Sequence, residues 1–216
     1  MNILHYIYFF LLYGTIVCFI SQLRQLNFTL GVLFVYLLLL AGVSTTGMLM
    51  QLNKLNNLYL FRLFTPVEYL LICLMYFPAL EKRNIKKVLH WSVYGFFIVC
   101  GLITYFLESW LVVDSFARTI EALLVTIWIL IYFKQKLSTS NELNLHADPM
   151  FWISMGFLIY FIGILFIHGL LNILIKQDRV LAQTLYRLTY FFEYNLFIEM
   201  NIALFCRQIF KVRTTR

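Results

Sequence analysis

Acidic residues inside apolar stretches are the features of this sequence that could carry chemistry. Glu68, Glu121 and Glu193 each lie in a long apolar stretch, and each follows an arginine on the same stretch. A carboxylate near the middle of a membrane costs roughly 2.5–3.5 kcal/mol on insertion scales, so one that persists usually faces a bundle interior or a wet cavity. Such acids can bind and release protons, and we therefore predict a proton, ion or ligand site around them.

Two of these acids lie in matching segments. Arg62, then a leucine, four residues and Glu68-Tyr69 correspond to Arg187, a leucine, four residues and Glu193-Tyr194. Further residues match at the same offset, namely Gly31 with Gly156, Leu33 with Leu158 and Leu40 with Leu165. The matches suggest a parallel internal repeat, in which a central helix links two units of three helices. Chance identities in a leucine-rich chain are the alternative explanation.

Glu121, the third acid, lies closer in sequence to its arginine than the other two acids do. Arg118 and Glu121 are three residues apart and so share one helix face. In the functional interpretation, Arg62, Arg118 and Arg187 line an outer vestibule above the three acids. In the structural interpretation, arginines and acids pair between helices, or the acids are protonated and hydrogen bonded as packing contacts. We favour the structural interpretation for Glu121 and leave both open for the other two acids.

Other polar residues could join this site. His168 and Asn172 are four residues apart on one predicted span, where they form a polar stripe that could face Glu193 or Glu121. A lone histidine in a membrane helix is more often a hydrogen-bonded core residue than a ligand. Tyr190 belongs to a run of tyrosines that recur every four residues, and Pro66 predicts a bend one turn before Glu68.

The composition predicts what must hold these residues. The 216 residues are 62% hydrophobic and only 12% charged, with a mean hydropathy of +0.83. Soluble domains carry about 25% charged residues. A soluble chain of this size could not form a core large enough to bury this much apolar surface. The balance excludes an ordinary soluble protein and indicates a membrane protein with the lipid bilayer as its main partner.

The apolar stretches predict an all-α integral membrane protein with seven transmembrane helices. About 20 apolar residues of helix cross a bilayer, and the stretches of that length are 3–20, 28–50, 60–77, 91–107, 116–133, 150–175 and 182–205. Counting from the predicted outer ends places Glu68 about 12 Å deep and Glu193 about 16 Å deep. We predict a single domain over residues 1–216, in which residues 207–216 form a short basic cytoplasmic tail.

The orientation follows from the 17 Lys and Arg residues, because these are enriched on the cytoplasmic side. Most of them lie on the side of the membrane on which the C-terminus is predicted to lie. They are Arg24, Lys82, Arg83, Lys86, Lys87, Lys134, Lys136, Arg207, Lys211, Arg213 and Arg216. We therefore predict the N-terminus outside and the C-terminus inside a plasma (inner) membrane. Cytoplasmic loops facing anionic lipid explain the net charge of +7, so no nucleic-acid partner is predicted.

Two known kinds of membrane protein, retinal proteins and zinc hydrolases, need residues that this sequence lacks. A retinal protein needs a lysine in the seventh helix, and residues 182–205 contain none. Zinc hydrolases need several histidines together, whereas only His168 lies deep in a span. The four cysteines fall in or beside apolar stretches as small apolar side chains. We predict no metal, no cofactor and no enzymatic activity.

In span count and short loops, the whole chain resembles small bacterial seven-helix proteins that are fused to or encoded beside sensor histidine kinases. The resemblance implies a sensor or receptor-like module that passes a helix movement to a cytoplasmic signalling protein such as a histidine kinase. It supplies no residue roles. The alternative function is a small-solute or proton-coupled transporter, which the possible repeat and the midplane acids favour. The ligand and the oligomeric state stay open.

Overall fold

The described part of the chain folds into seven α-helices. The computed structural model describes residues 3–106, 115–139, 145–177 and 179–210, without the side chains of residues 115, 139, 171–177 and 179. The helices are α1 (Ile3–Ser21), α2 (Phe28–Leu52), α3 (Leu58–Ala79), α4 (Arg83–Phe106), α5 (Ser115–Thr139), α6 (Pro149–Gln177) and α7 (Arg179–Ile209). Two short 3-10 turns, Leu23–Gln25 and Leu145–Ala147, lie in the connections, and no strand occurs in the described ranges. The predicted all-α class is confirmed.

Six of these helices, α1 to α6, are long and apolar enough to cross a membrane. Large apolar side chains on them point outward, such as Phe10, Trp91 and Phe166, which are 64–78% exposed. Helices that satisfy their own backbone hydrogen bonds and present apolar side chains outward are the structure a lipid bilayer selects. The architecture is that of a multi-pass membrane protein. Helix α7 has 31 residues, ample length to cross, but it is more polar than the other six.

The helices extend beyond the predicted spans at their polar ends. Helix α4 begins at Arg83, eight residues earlier than predicted from the apolar stretch, and α5 continues to Thr139. Long basic side chains allow this, since their stems cover apolar surface while the charge stays in water. Lys86 illustrates it, with Nζ 5.4 Å from the centre of the Phe77 ring. Helix α7 reaches Ile209 and so includes the start of the predicted tail, while residues 211–216 lie outside the described ranges.

Six helices form a closed ring in the order α1, α2, α3, α5, α6 and α7, and α7 packs back against α1. Helix α4 lies outside this ring against α3 and α5. Aromatic and hydroxyl contacts join the ring across its interior. Tyr76 Oη donates to Ser154 Oγ at 2.9 Å between α3 and α6, and Trp128 Nε1 donates to Tyr69 Oη at 2.9 Å between α5 and α3. The ring therefore encloses a packed interior.

Helices α6 and α7 pack most closely where glycines face α7. A Cβ added to Gly156 would lie 2.8 Å from Glu199 Cβ, and one added to Gly163 would lie 2.6 Å from the Phe192 ring. Gly31, which the proposed repeat pairs with Gly156, has no neighbour within 4 Å of such a Cβ. The two glycines therefore have different packing roles, and the repeat stays a prediction.

Candidate functional site

A half-buried arginine joins two buried carboxylates, one on its own helix and one on α3. Arg118 Nη1 on α5 donates to Glu121 Oε2 at 3.0 Å and to Glu68 Oε2 on α3 at shorter range. The side chains of Glu68 and Glu121 are 1% and 0% exposed, whereas that of Arg118 is 14% exposed. We call these three residues with Glu193 the carboxylate–arginine cluster. Charge-assisted hydrogen bonds of this kind are about twice as strong as neutral ones.

Glu68 is held at both carboxylate oxygens. Its Oε2 accepts from Arg118, and its Oε1 accepts from the hydroxyl of Tyr36 on α2 at 3.0 Å. Tyr36 is itself 1% exposed and packs edge-on against Phe157, with ring centres 5.8 Å apart. Three ring helices, α2, α3 and α5, therefore fix this acid in one position.

Glu193 on α7 has a different environment. It is half-buried and lies within electrostatic range of Arg118 and Glu68. It forms no hydrogen bond or ion pair with any other residue of the described ranges. Tyr8 on α1 and Tyr160 on α6 are buried within electrostatic range of both Glu68 and Glu193. Each of the six ring helices thus contributes a polar side chain to this region.

Arg118 is already paired without Glu193. Two almost fully buried carboxylates, Glu68 and Glu121, bind this arginine. Glu193 adds a third carboxylate, and the arginine of its own segment, Arg187, is exposed. A carboxylate without an ion pair in a low-dielectric interior favours binding a proton. Glu193 is therefore the acid of this cluster whose charge can change with the least disruption.

The structure brings together most of the residues predicted for the site. Glu68, Glu121, Arg118 and Glu193 form the cluster, and His168 lies within electrostatic range of Arg118. The Nδ1 atom of His168 is buried and makes no hydrogen bond within the described part of the chain. The interhelical pairing predicted by the structural interpretation is present between Arg118 and Glu68.

The other predicted residues differ in their positions. Arg187 is exposed on the surface of α7, and the outer vestibule stays a prediction. The side chain of Asn172 lies outside the described residues. The hydroxyl of Tyr190 contacts His5 on α1, at 3.0 Å from Nδ1 and 3.2 Å from Nε2. Tyr190 therefore belongs to the contact between α1 and α7, and it also lies within electrostatic range of Glu193.

That contact continues along both helices. Tyr194 Oη donates to the Leu4 carbonyl at 2.6 Å, and Asn201 Nδ2 donates to Thr15 Oγ1 at 2.7 Å. The polar side chains that distinguish α7 from the other helices are thus used in part to bind α1. Membrane helices that carry such groups commonly associate through them.

Sequence reasoning missed the tyrosines around the acids. Tyr8, Tyr36 and Tyr160 surround the cluster, but the chain contains 14 tyrosines and none of these three has a distinctive spacing. Only the helix arrangement reveals that their hydroxyls reach the interior. No motif in the sequence could have selected them.

No family model matches the chain, and neither a curated protein nor a solved structure matches it. The case for a function therefore depends on the residues and their geometry.

Proposed function

We propose that the chain is a non-enzymatic membrane signalling module that responds to the charge of Glu193. In this proposal α7 is the seventh span, the N-terminus is outside and the C-terminus is inside the plasma membrane. The observation that carries the proposal is the position of Glu193. Its carboxylate forms no ion pair within the described ranges, and its helix, α7, continues without a break to Ile209. Protonation removes its interaction with Arg118, so the two charge states favour different positions of α7.

Helix α7 can carry a displacement over a long distance. The rise of 1.5 Å per residue places Ile209 about 24 Å from Glu193 along the helix axis. No proline occurs in α7, and prolines are the usual cause of sharp kinks. A small shift or rotation at the cluster therefore moves the far end of the helix as a unit.

The far end of α7 contacts the connection between α5 and α6. The Trp152 and Phe210 rings stack with centres 5.6 Å apart, and Cys206 Sγ donates to the Ala147 carbonyl at 3.4 Å. Lys136 Nζ and Asp148 Oδ2 are 2.8 Å apart beside them. Movement of α7 would alter this surface and the position of Arg207. The proposed recipient is a cytoplasmic signalling protein, for which a histidine kinase is our first candidate.

Distance measurements between spin labels test this proposal. Labels at Lys134→Cys on α5 and Gln208→Cys on α7 would be placed in the full chain after its native cysteines are replaced, and the protein reconstituted in liposomes. Both positions are exposed. We expect the distance distribution to shift between neutral and mildly acidic buffer. Glu193→Gln should give the acidic distribution in both buffers.

Glu199→Gln is the matched control, because it changes another half-buried acid on the same helix. The control variant should retain the shift seen in the wild-type protein. A distribution that is unchanged by pH, or a shift that survives Glu193→Gln, would overturn the proposal.

A proton-coupled transporter is the second candidate. It is favoured by the three carboxylates grouped around one arginine, with Pro66 two residues before Glu68. In liposomes that contain a pH-sensitive dye, a transporter should dissipate an imposed pH gradient faster than protein-free liposomes. Glu68→Gln should then slow that flux. The signalling proposal predicts no flux above the protein-free level.

A further inference from the structure

Arg118 uses only part of its hydrogen-bonding capacity. Both carboxylates of its ion pairs accept from Nη1. The guanidinium also carries N–H groups on Nη2 and Nε. These make no hydrogen bond to any side chain or backbone group of the described ranges. The edge formed by Nε and Nη2 is therefore available to another acceptor.

The position of Arg118 makes that edge reachable from one end of the bundle. The described part of α5 begins at Ser115, so Arg118 lies about one helical turn from that end. Its side chain is 14% exposed, whereas the two acids that it binds are almost fully buried. The guanidinium is therefore the most accessible group of the three.

A second polar atom lies on α6 without a hydrogen bond in the part of the chain that the structure describes. His168 is within electrostatic range of Arg118, and its buried Nδ1 is that atom. A buried polar atom left unpaired is destabilising, so a ligand group that forms a hydrogen bond with Nδ1 is favoured here.

We propose that Arg118 and His168 form a binding site for a small oxyanion, a carboxylate or phosphate group, that enters from the N-terminal end of the bundle. The Nε–Nη2 edge of a guanidinium matches two oxygens of such a group in a side-by-side arrangement. A guanidinium carries only N–H donors, so the group that binds this edge must supply acceptor atoms. The inference deepens the proposed signalling function, on which it rests, by naming the class of signal.

Charge balance couples this anion to a proton. Glu68 and Glu121 already occupy Nη1, and Glu193 is the carboxylate that forms no ion pair within the described ranges. An added anion would make the cluster more negative unless an acid takes up a proton. The groups that face Glu193 from the neighbouring helices are Tyr8, Glu68, Arg118 and Tyr160, and those that face it from α7 itself are Tyr186, Tyr190 and Tyr194. Glu193 is the acid that can take the proton without breaking a bond, so anion affinity should increase as the pH falls.

Thermal melts of the purified full chain in detergent test the site. Sodium acetate and inorganic sodium phosphate would be titrated against sodium chloride at matched ionic strength. We expect at least one of the two oxyanions to raise the melting temperature saturably beyond the effect of chloride, with at least tenfold higher affinity in acidic than in neutral buffer. An adventitious, non-saturating salt effect would overturn the site.

Three variants assign the effect to its residues. His168→Leu breaks no hydrogen bond of the described structure and should weaken the apparent affinity at least tenfold while the protein still folds. Arg118→Lys keeps a positive charge but lacks the bidentate edge, and should abolish saturation. Arg187→Gln removes an exposed arginine and should leave the affinity unchanged. Retention of full affinity by His168→Leu, or its loss in Arg187→Gln, would contradict the proposal.

The anion site and the signalling function can be overturned separately. If no oxyanion binds but the α7 labels still move with pH, only the anion site is overturned. If an oxyanion binds and the α7 labels do not move in any condition, only the signalling function is overturned.

Discussion

Helices α3 and α7 carry the same spacing of arginine, glutamate and tyrosine in two different environments. On α3, Arg62 is buried and Glu68 is bonded at both carboxylate oxygens. On α7, Arg187 is exposed and Glu193 makes no hydrogen bond or ion pair with the rest of the described chain. The spacing places an acid at a given depth, but the neighbouring helices decide its partners.

The positions of the two helices explain this difference. Helix α3 packs against α2, α4 and α5, so its acid meets Tyr36 from one side and Arg118 from the other. Helix α7 packs against α6 and α1, and these offer tyrosines near Glu193 but no arginine. A buried ion pair makes Glu68 a fixed structural element, and the missing pair leaves Glu193 free to change its charge.

The largest effect should come from Arg118→Leu, which removes the cation that two buried carboxylates share. Leaving buried charges without their partner costs about 3–5 kcal/mol. We expect the free energy of unfolding, measured by SDS titration from mild detergent, to fall by about 4 kcal/mol. Arg187→Leu on the exposed face of α7 is the control and should change it by less than about 0.5 kcal/mol. Equal losses in the two variants would contradict the central position of Arg118.

Replacement of the two matching acids should separate α3 from α7 directly. Glu68→Leu removes one carboxylate of the ion pair and leaves the Tyr36 hydroxyl without its acceptor, so we expect a loss of about 3 kcal/mol. Glu193→Leu breaks no bond of the described structure and should stay within about 1 kcal/mol of wild type. The same titration measures both. A larger loss of unfolding free energy in Glu193→Leu than in Glu68→Leu would contradict this account, because Glu193 would then be the acid that stabilises the fold.

The glycines that the repeat relates provide a smaller test. Gly156→Ala would bring a Cβ to 2.8 Å from Glu199 Cβ, so α6 and α7 would have to separate. Overpacking of this kind costs about 1–3 kcal/mol. Gly31→Ala meets nothing within 4 Å and should raise the stability by roughly 0.5–1 kcal/mol, since alanine favours a helix. Thermal melts of the two variants should therefore shift in opposite directions, and equal shifts would favour equivalent packing.

Single tyrosine hydroxyls provide a test of similar size to that of the glycines. Tyr36→Phe removes the hydroxyl that donates to the Glu68 carboxylate, and hydrogen bonds to charged groups contribute about 1.5–3 kcal/mol. Tyr190→Phe removes a contact to His5, for which about 1 kcal/mol is expected. The SDS titration should therefore rank Tyr36→Phe as the more destabilised variant, and the opposite order would argue against a charged Glu68.

Much of the fold could be predicted from the sequence, because a bilayer requires long apolar helices and these stretches are easy to recognise. The prediction was less accurate where polar residues extend a helix, as at Arg83–His90. The burial of Arg62 and the exposure of Arg187 could not be predicted, since a spacing of residues does not specify which way a helix faces. The tyrosines of the site could not be predicted, because their role depends on how six helices close into a ring.

Infrared difference spectroscopy across a pH step tests the central claim most directly, since a protonated carboxylic acid has a carbonyl band that a carboxylate lacks. In lipid-reconstituted protein, acidification should produce such a band in the wild type and in Glu68→Gln, and the band should be absent in Glu193→Gln. A band that disappears in Glu68→Gln and persists in Glu193→Gln would contradict the account, because the ion-paired acid of α3 would then be the one that exchanges protons.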